Sequence, residues 1–216
     1  MSPRHLVLAS ASPRRQALVG LLGLAWRAAP AALDEASYLL ADPFVSALNV
    51  ALAKVRAVAA SADEMVVAAD TLVVVDDEIL GKPDDAATAR GMLRRLRSRP
   101  HHVLSGVVLR GADEGQQWGA VISTRVLMRH YADREIDDYV GRGEPFDKAG
   151  GYAIQDAVFR PVENLEGCYL NVVGLPLCAV AAGLQALGVQ LNAAGESVPP
   201  CGYCRLGADV VAVRSG

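Results

Sequence analysis

The chain has 216 residues, of which 52% are hydrophobic and 21% charged. That is enough to bury one generous core without disulfide or metal staples, and too apolar for a disordered or polyionic protein. A net charge of −3 and an isoelectric point of about 5.8 lack the basic excess that nucleic-acid backbones demand, so any anion site has to be local.

In chain order, "HLVLAS" reads as a strand. Ser12-Pro13 is a helix start, the hydroxyl capping free amides and the proline preset for the first turn. Ala17, Leu18, Leu21 and Leu22 recur at helical spacing before a stop at Gly23. "LAWRAAP" is predicted extended, and Asp42-Pro43 opens an Ala-rich helix running through Lys54. "MVVAAD" and "TLVVV" are two buried-strand runs. After "GKP", Asp84 or Asp85 begins a helix ending in "RRLRSR", whose basic last turn suits the macrodipole. "HHVLSGVVLRG" and "WGAVISTRVLMRHY" predict a long hairpin turning at Gly111 to Gln117. Asp133 to Val140 reads as a short helix, "GEPFDKAGGYAIQD" as a glycine-bearing loop, and an apolar helix follows Pro176. Alternating strands and helices indicate an α/β or α+β sheet protein. The expected division is a domain over 1–190 and a tail over 191–216.

The short run "LVLASA" leads straight into Arg14-Arg15, unlike a signal peptide, so the expectation is a protein that is not exported. "NVVGLPLCAVAAGLQALGV" is nearly uncharged, but Gly174, Pro176, Gly183 and Gln185 interrupt it, which favours a buried helix over a membrane span. Cys168 and Cys178 read as small core residues. Cys201 and Cys204, in "CGYC", read as a loose tail, a redox pair or half of a zinc knuckle; a zinc site requires two further ligands that no nearby His supplies.

Three stretches carry charge where folding alone does not ask for it. Arg14 and Arg15 occupy a first helical turn, where the dipole favours acids. With Ser10 and Ser12 they form a strand-turn-helix cradle for an anion; equally, they could pair with surface acids. Asp70 ends an apolar run, costly unless the carboxylate meets a metal, a cation or a water; it reads as a general base or metal ligand, or as a residue capping a turn. Lys82 follows, fixed between Gly81 and Pro83. In "EPFDKAGGYAIQD", Glu144, Asp147 and Lys148 crowd together, and Gln155 offers an amide able to read a base edge. A site gathering Arg14, Arg15, Lys54, Lys82 and Lys148 around Asp70 and Glu35 has the charge balance for a polyphosphate held with a divalent metal. There is no GxxxxGK[ST] loop, which argues against a kinase or motor-type NTPase.

With "SASPRR", "AADTLVV", "GKP", "EPFDKAGGYAIQ" and "NVVGLP" in this order over residues 5 to 188, the chain resembles the Maf family of nucleoside triphosphate pyrophosphatases. The resemblance implies an α/β fold with a curved mixed central sheet flanked by helices and a cleft between two lobes, of the Maf/Ham1-like, anticodon-binding-like type. It also implies hydrolysis between the α and β phosphates with Mg²⁺ or Mn²⁺, in the cytoplasm, by a homodimer. Carried over by motif, Asp70 is the proton acceptor; Arg14, Thr71 and Gln155 stand at positions of substrate selection; Lys54, Lys82 and Lys148 at phosphate-contacting positions; and Glu35 at an acidic position that helps hold metal. Thr71 and "DKAGGYAIQ" resemble the branch acting on dTTP and UTP rather than the one acting on 7-methyl-GTP. A nucleotide-binding regulator of septum formation, for which the family is also named, is the alternative of a different class.

Overall fold

A computed structural model describes residues 5–111 and 115–191. The expected tail beyond Leu191, with Cys201 and Cys204, lies outside the described residues.

Strand β1 (His5–Leu8) feeds helix α1 (Pro13–Gly20), and β2 (Trp26–Ala28) is followed by a 3₁₀ turn at Glu35–Tyr38 and by α2 (Pro43–Ala57). The next strand, β3, runs unbroken over Glu64–Val75, so the two expected runs around Asp70 are one strand. Strand β5 (Pro100–Arg110) pairs with it continuously from Val66 to Val74, straight through Asp70 and Thr71, which holds the polar pair extended. Then come β4 (Glu78–Leu80), α3 (Ala86–Leu96), β5 (Pro100–Arg110), β6 (Gln117–Met128), α4 (Asp133–Gly141), β7 (Val162–Glu166), α5 (Tyr169–Val173) and α6 (Leu177–Ala186). The expected glycine loop carries two 3₁₀ turns, Glu144–Asp147 and Ala149–Gly151.

Caps obey local chemistry. Ser12 caps α1, Asp42 caps α2 by accepting from the amides of Phe44 and Val45, and Asp85, rather than Asp84, caps α3.

The seven strands of the described residues form one mixed sheet in the order β2-β1-β3-β5-β6-β7, with β4 on β3. β1 is parallel to β2 and β3; the other pairs are antiparallel. From β1 the chain crosses through α1 to β2 on one side, then back through α2 to β3 on the other. Right-handed crossovers in opposite directions put α1 and α2 on opposite faces and create a switch point between β1 and β3.

Alternation along the long strands sorts the core. One face of β3 and β5 carries Val67, Ala69, Val107 and Leu109 under α1 and α6, and further along Val73, Val75 and Val103 under α3 and α4. These two cores are the two lobes. Between them lie Thr71, Ser105 and Thr124, with the buried Asn171 of α5 donating to Thr124 Oγ1 at 2.9 Å and to the carbonyl of Val103, also at 2.9 Å. The opposite face carries Val66, Ala68, Leu72 and Leu104 under α2. That helix seats deeply because β5 has Gly106 beneath it: a Cβ there would overlap the Ala47 carbonyl. One turn beyond the buried stripe Ala47, Val50, Ala51, the helix buries Val55 and, beside it, a lysine, Lys54.

Candidate active site

β1 covers the β3 edge only up to Val67, and β4 takes it up again at Val73. Between them Ala68 to Leu72 have β5 on one side and a notch on the other. At this gap both faces of a strand reach the same space, and a cleft of about 360 Å³ opens there. Asp70 enters it from the α2 face and Thr71 from the other. The position, at the carboxyl end of β1 beside the switch point, is where open α/β sheets hold ligands.

Lys54 of α2 is 4% exposed and Asp70 is 6% exposed. Its Nζ donates to Asp70 Oδ1 at 2.7 Å and lies 2.9 Å from Glu35 Oε1. Two buried charges are tolerated because they meet each other. Among the described residues Asp70 Oδ2 accepts no hydrogen bond and is not sealed from the cleft. Partial burial works to raise the Glu35 carboxyl, but Lys54, Lys82 and Arg15 outweigh it and hold it below the ordinary carboxylate value.

The first turn of α1 aims its arginines inward. Arg15 donates from Nε to the Gly174 carbonyl at 2.9 Å and from Nη2 to Thr71 Oγ1 at 3.1 Å, and Thr71 shares a 2.8 Å bond with the buried Ser105 hydroxyl. Burial lowers the Arg15 pKa, opposed by Asp70 and Glu35; a guanidinium stays charged at neutral pH all the same. Arg14 pairs with Asp147 at 2.9 Å, and Lys148 with the other oxygen of that carboxylate at 2.6 Å. Asp147 thus clasps the helix tip to the 3₁₀ loop across the mouth, and its carboxyl, which burial would raise, is held low by Lys148 and Arg14.

Every expected site residue but one lines this cleft: Ser12, Arg14, Arg15, Glu35, Lys54, Asp70, Thr71, Lys82, Lys148 and Gln155. Ser10 stands behind it, buried, its hydroxyl accepting the Ser12 amide at 3.2 Å and shaping the turn. Asp147, one of the charged cluster with Glu144 and Lys148, proves to be the group that ties Arg14 to Lys148. Two contributors carry little signal in the sequence: Ser105 is one hydroxyl on an apolar strand, and the Gly174 carbonyl has no side-chain signal at all. The apolar lining of Val73, Val103, Tyr152, Ile154, Val172 and Val173 likewise carries no sign of a site in the sequence.

Fold and cleft together define an α/β protein with a switch-point site where five cationic side chains face three carboxylates, an arrangement for an anion of high charge with an apolar appendage. The Maf-like protein family matches residues 5–187, and the chain belongs to that family. A Thermomicrobium roseum protein named dTTP/UTP pyrophosphatase is 45% identical over 214 residues, 97% of each chain. Proteins of the same name from Anaeromyxobacter dehalogenans and Moorella thermoacetica are 49% and 46% identical, over 88% and 86% of this chain and 97% and 96% of their own lengths.

Proposed function

We propose that the protein hydrolyses pyrimidine nucleoside triphosphates, dTTP, UTP and their modified relatives, to the nucleoside monophosphate and pyrophosphate. One observation carries the reading: a buried carboxylate, Asp70, faces a cleft whose other charged groups are mainly cations. The relatives named dTTP/UTP pyrophosphatase support the substrate class.

Asp70 Oδ2 accepts a proton from water as the water oxygen bonds to the α-phosphorus. The bond from that phosphorus to the α,β-bridging oxygen breaks, and pyrophosphate leaves with the electron pair. Arg14, Arg15, Lys82 and Lys148 neutralise the charge that builds on the phosphate oxygens, Lys82 on the leaving group. Ser12 and the first-turn amides of α1 hold a phosphate. Asp147 occupies Arg14 and Lys148 in the meantime; such exposed pairs are worth roughly 0–1 kcal/mol, so a phosphate displaces it readily. The pyrimidine lies against the apolar wall, with Gln155 and Thr71 reading its polar edge.

The donor set suits a divalent cation of the Mg²⁺ or Mn²⁺ kind, which takes one or two carboxylates and completes its shell with substrate phosphates and water. Asp70 and Glu35 are the carboxylates that would hold it, and it would supply charge neutralisation and orientation of the phosphates. Among the described residues no three His, Cys, Asp or Glu side chains converge as a self-sufficient metal site. Likewise among them, no helix is long and apolar enough to cross a membrane. We assign the catalytic unit to residues 1–190, with 191–216 as an appended tail, and the working form to a cytoplasmic homodimer binding neither nucleic acid nor membrane.

The test is a nucleotide panel with Mn²⁺. UTP and dTTP are expected to turn over fastest; preference for 7-methyl-GTP, or nucleotide binding with no turnover, would refute the assignment.

A further inference from the structure

Lys54 has a place in the site that phosphate contact does not explain. Its ammonium bridges Asp70 and Glu35 at 2.7 and 2.9 Å, the two carboxylates assigned above to the metal. A cation is already there, and it is the protein's own. Helix α2 fixes the base of this side chain, because the stripe from Ala47 is pressed onto Gly106, and the four-carbon stem carries the ammonium to a point between the two carboxylates.

We propose that Lys54 is a positioning residue that acts as a resident counter-cation, holding the Asp70–Glu35 pair closed to metal until a triphosphate arrives, so that nucleotide binds before metal. The inference rests on the function proposed above. Two observations carry it independently. The ammonium sits on one oxygen of each carboxylate, Asp70 Oδ1 and Glu35 Oε1, and a divalent ion placed between the same two groups meets that positive charge at close range, where like charges repel. The absence of a third acidic or imidazole ligand among the described residues leaves a metal without enough protein donors to displace the lysine unaided. A bound triphosphate changes both terms. Its oxygens give the ammonium a new set of acceptors, and they supply the ligands that the carboxylate pair lacks. Of the five cations in the cleft, Lys54 is the one that touches both carboxylates; Arg14 and Lys148 are held by Asp147, and Arg15 by Gly174 and Thr71. Lys54 therefore couples arrival of phosphate to opening of the metal position.

The experiment is Mn²⁺ titration of the full chain, read by the electron paramagnetic resonance of free Mn²⁺ and corrected for Mn²⁺ bound to nucleotide alone. Wild type is expected to bind Mn²⁺ about tenfold or more tightly in the presence of α,β-methylene-UTP than without it. Lys54→Met, with its fold checked by circular dichroism, is expected to take up Mn²⁺ without nucleotide, about tenfold or more tightly than wild type. Wild type that binds Mn²⁺ equally well with and without the analogue overturns the inference, whether or not the variant folds. So does a folded Lys54→Met that gains no affinity. Either result beside normal UTP hydrolysis leaves the proposed function standing. Failure to bind the analogue or to hydrolyse any nucleotide removes that function, yet a gain of Mn²⁺ affinity in Lys54→Met would still mark the carboxylates as metal ligands.

Discussion

Asp70 and Lys54 meet as a buried ion pair, Nζ to Oδ1 at 2.7 Å. A carboxylate inside a run of valines and alanines advertises itself, because burying it alone is too costly to be an accident of packing. The lysine that offsets that cost, Lys54, looks from sequence like any cation on an Ala-rich helix, and only the seating of α2 brings it within 2.7 Å. Asp70→Asn keeps the shape but cannot take a proton, so hydrolysis is expected to fall about 10²–10⁴-fold with the circular dichroism spectrum unchanged; activity within a few-fold of wild type contradicts the base assignment. His101 gives the opposite case, a titratable group the chemistry does not use. It is buried against Tyr152, Nε2 to hydroxyl 2.7 Å, and Nδ1 has no partner among the described residues. Burial, with His102 adding, drives its pKa from 6.5 down to about 4. The unfolded chain therefore takes up a proton below pH 6.5 that the folded chain refuses until about pH 4. Stability from this group is complete above pH 6.5 and declines between those values, by about 3 kcal/mol in total. Urea unfolding across that range is expected to show a shallower loss for His101→Gln; identical slopes would exclude His101 as the source.

At the scale of elements, those with strong periodicity and caps were readable: α1, α2, α3 and the β5–β6 hairpin begin or turn where Ser12-Pro13, Asp42-Pro43, Asp85 and Gly111 signal. The missed ones are short and set by tertiary contact. β4 has three residues and exists because the chain returns along β3. β7, "VENLE", lies at the sheet edge and shows no clean alternation of burial. α5 spans five residues with a buried Asn171 whose partners are distant in sequence. The notch, the most consequential feature, is the gap left between two partners of β3, which no local pattern encodes. Packing of α2 across the sheet is the element-level claim open to test. Gly106→Ala forces a methyl against the Ala47 carbonyl, and overpacking of this kind costs about 1–3 kcal/mol. A lowered urea midpoint is expected, along with weakened activity as Lys54 moves off Asp70. An unchanged midpoint would mean that α2 does not sit on Gly106.

For the molecule as a whole, a net charge of −3 coexists with a cleft in which cations outnumber carboxylates five to three. Bulk charge therefore gives no sign of the local site; the ordered run of motifs does. Two lobes share the long strands β3, β5 and β6, and the polar seam of Thr71, Ser105 and Thr124 runs between their cores, ending at the cleft. That geometry brings the N-terminus of α1 and the loop bearing Lys148 and Gln155 to the same cleft. The central claim is that water attacks the phosphorus nearest the sugar. Turnover of UTP in ¹⁸O-water, followed by mass spectrometry of the products, tests it directly. Label in UMP with unlabelled pyrophosphate is the predicted result; UDP together with labelled orthophosphate would contradict it.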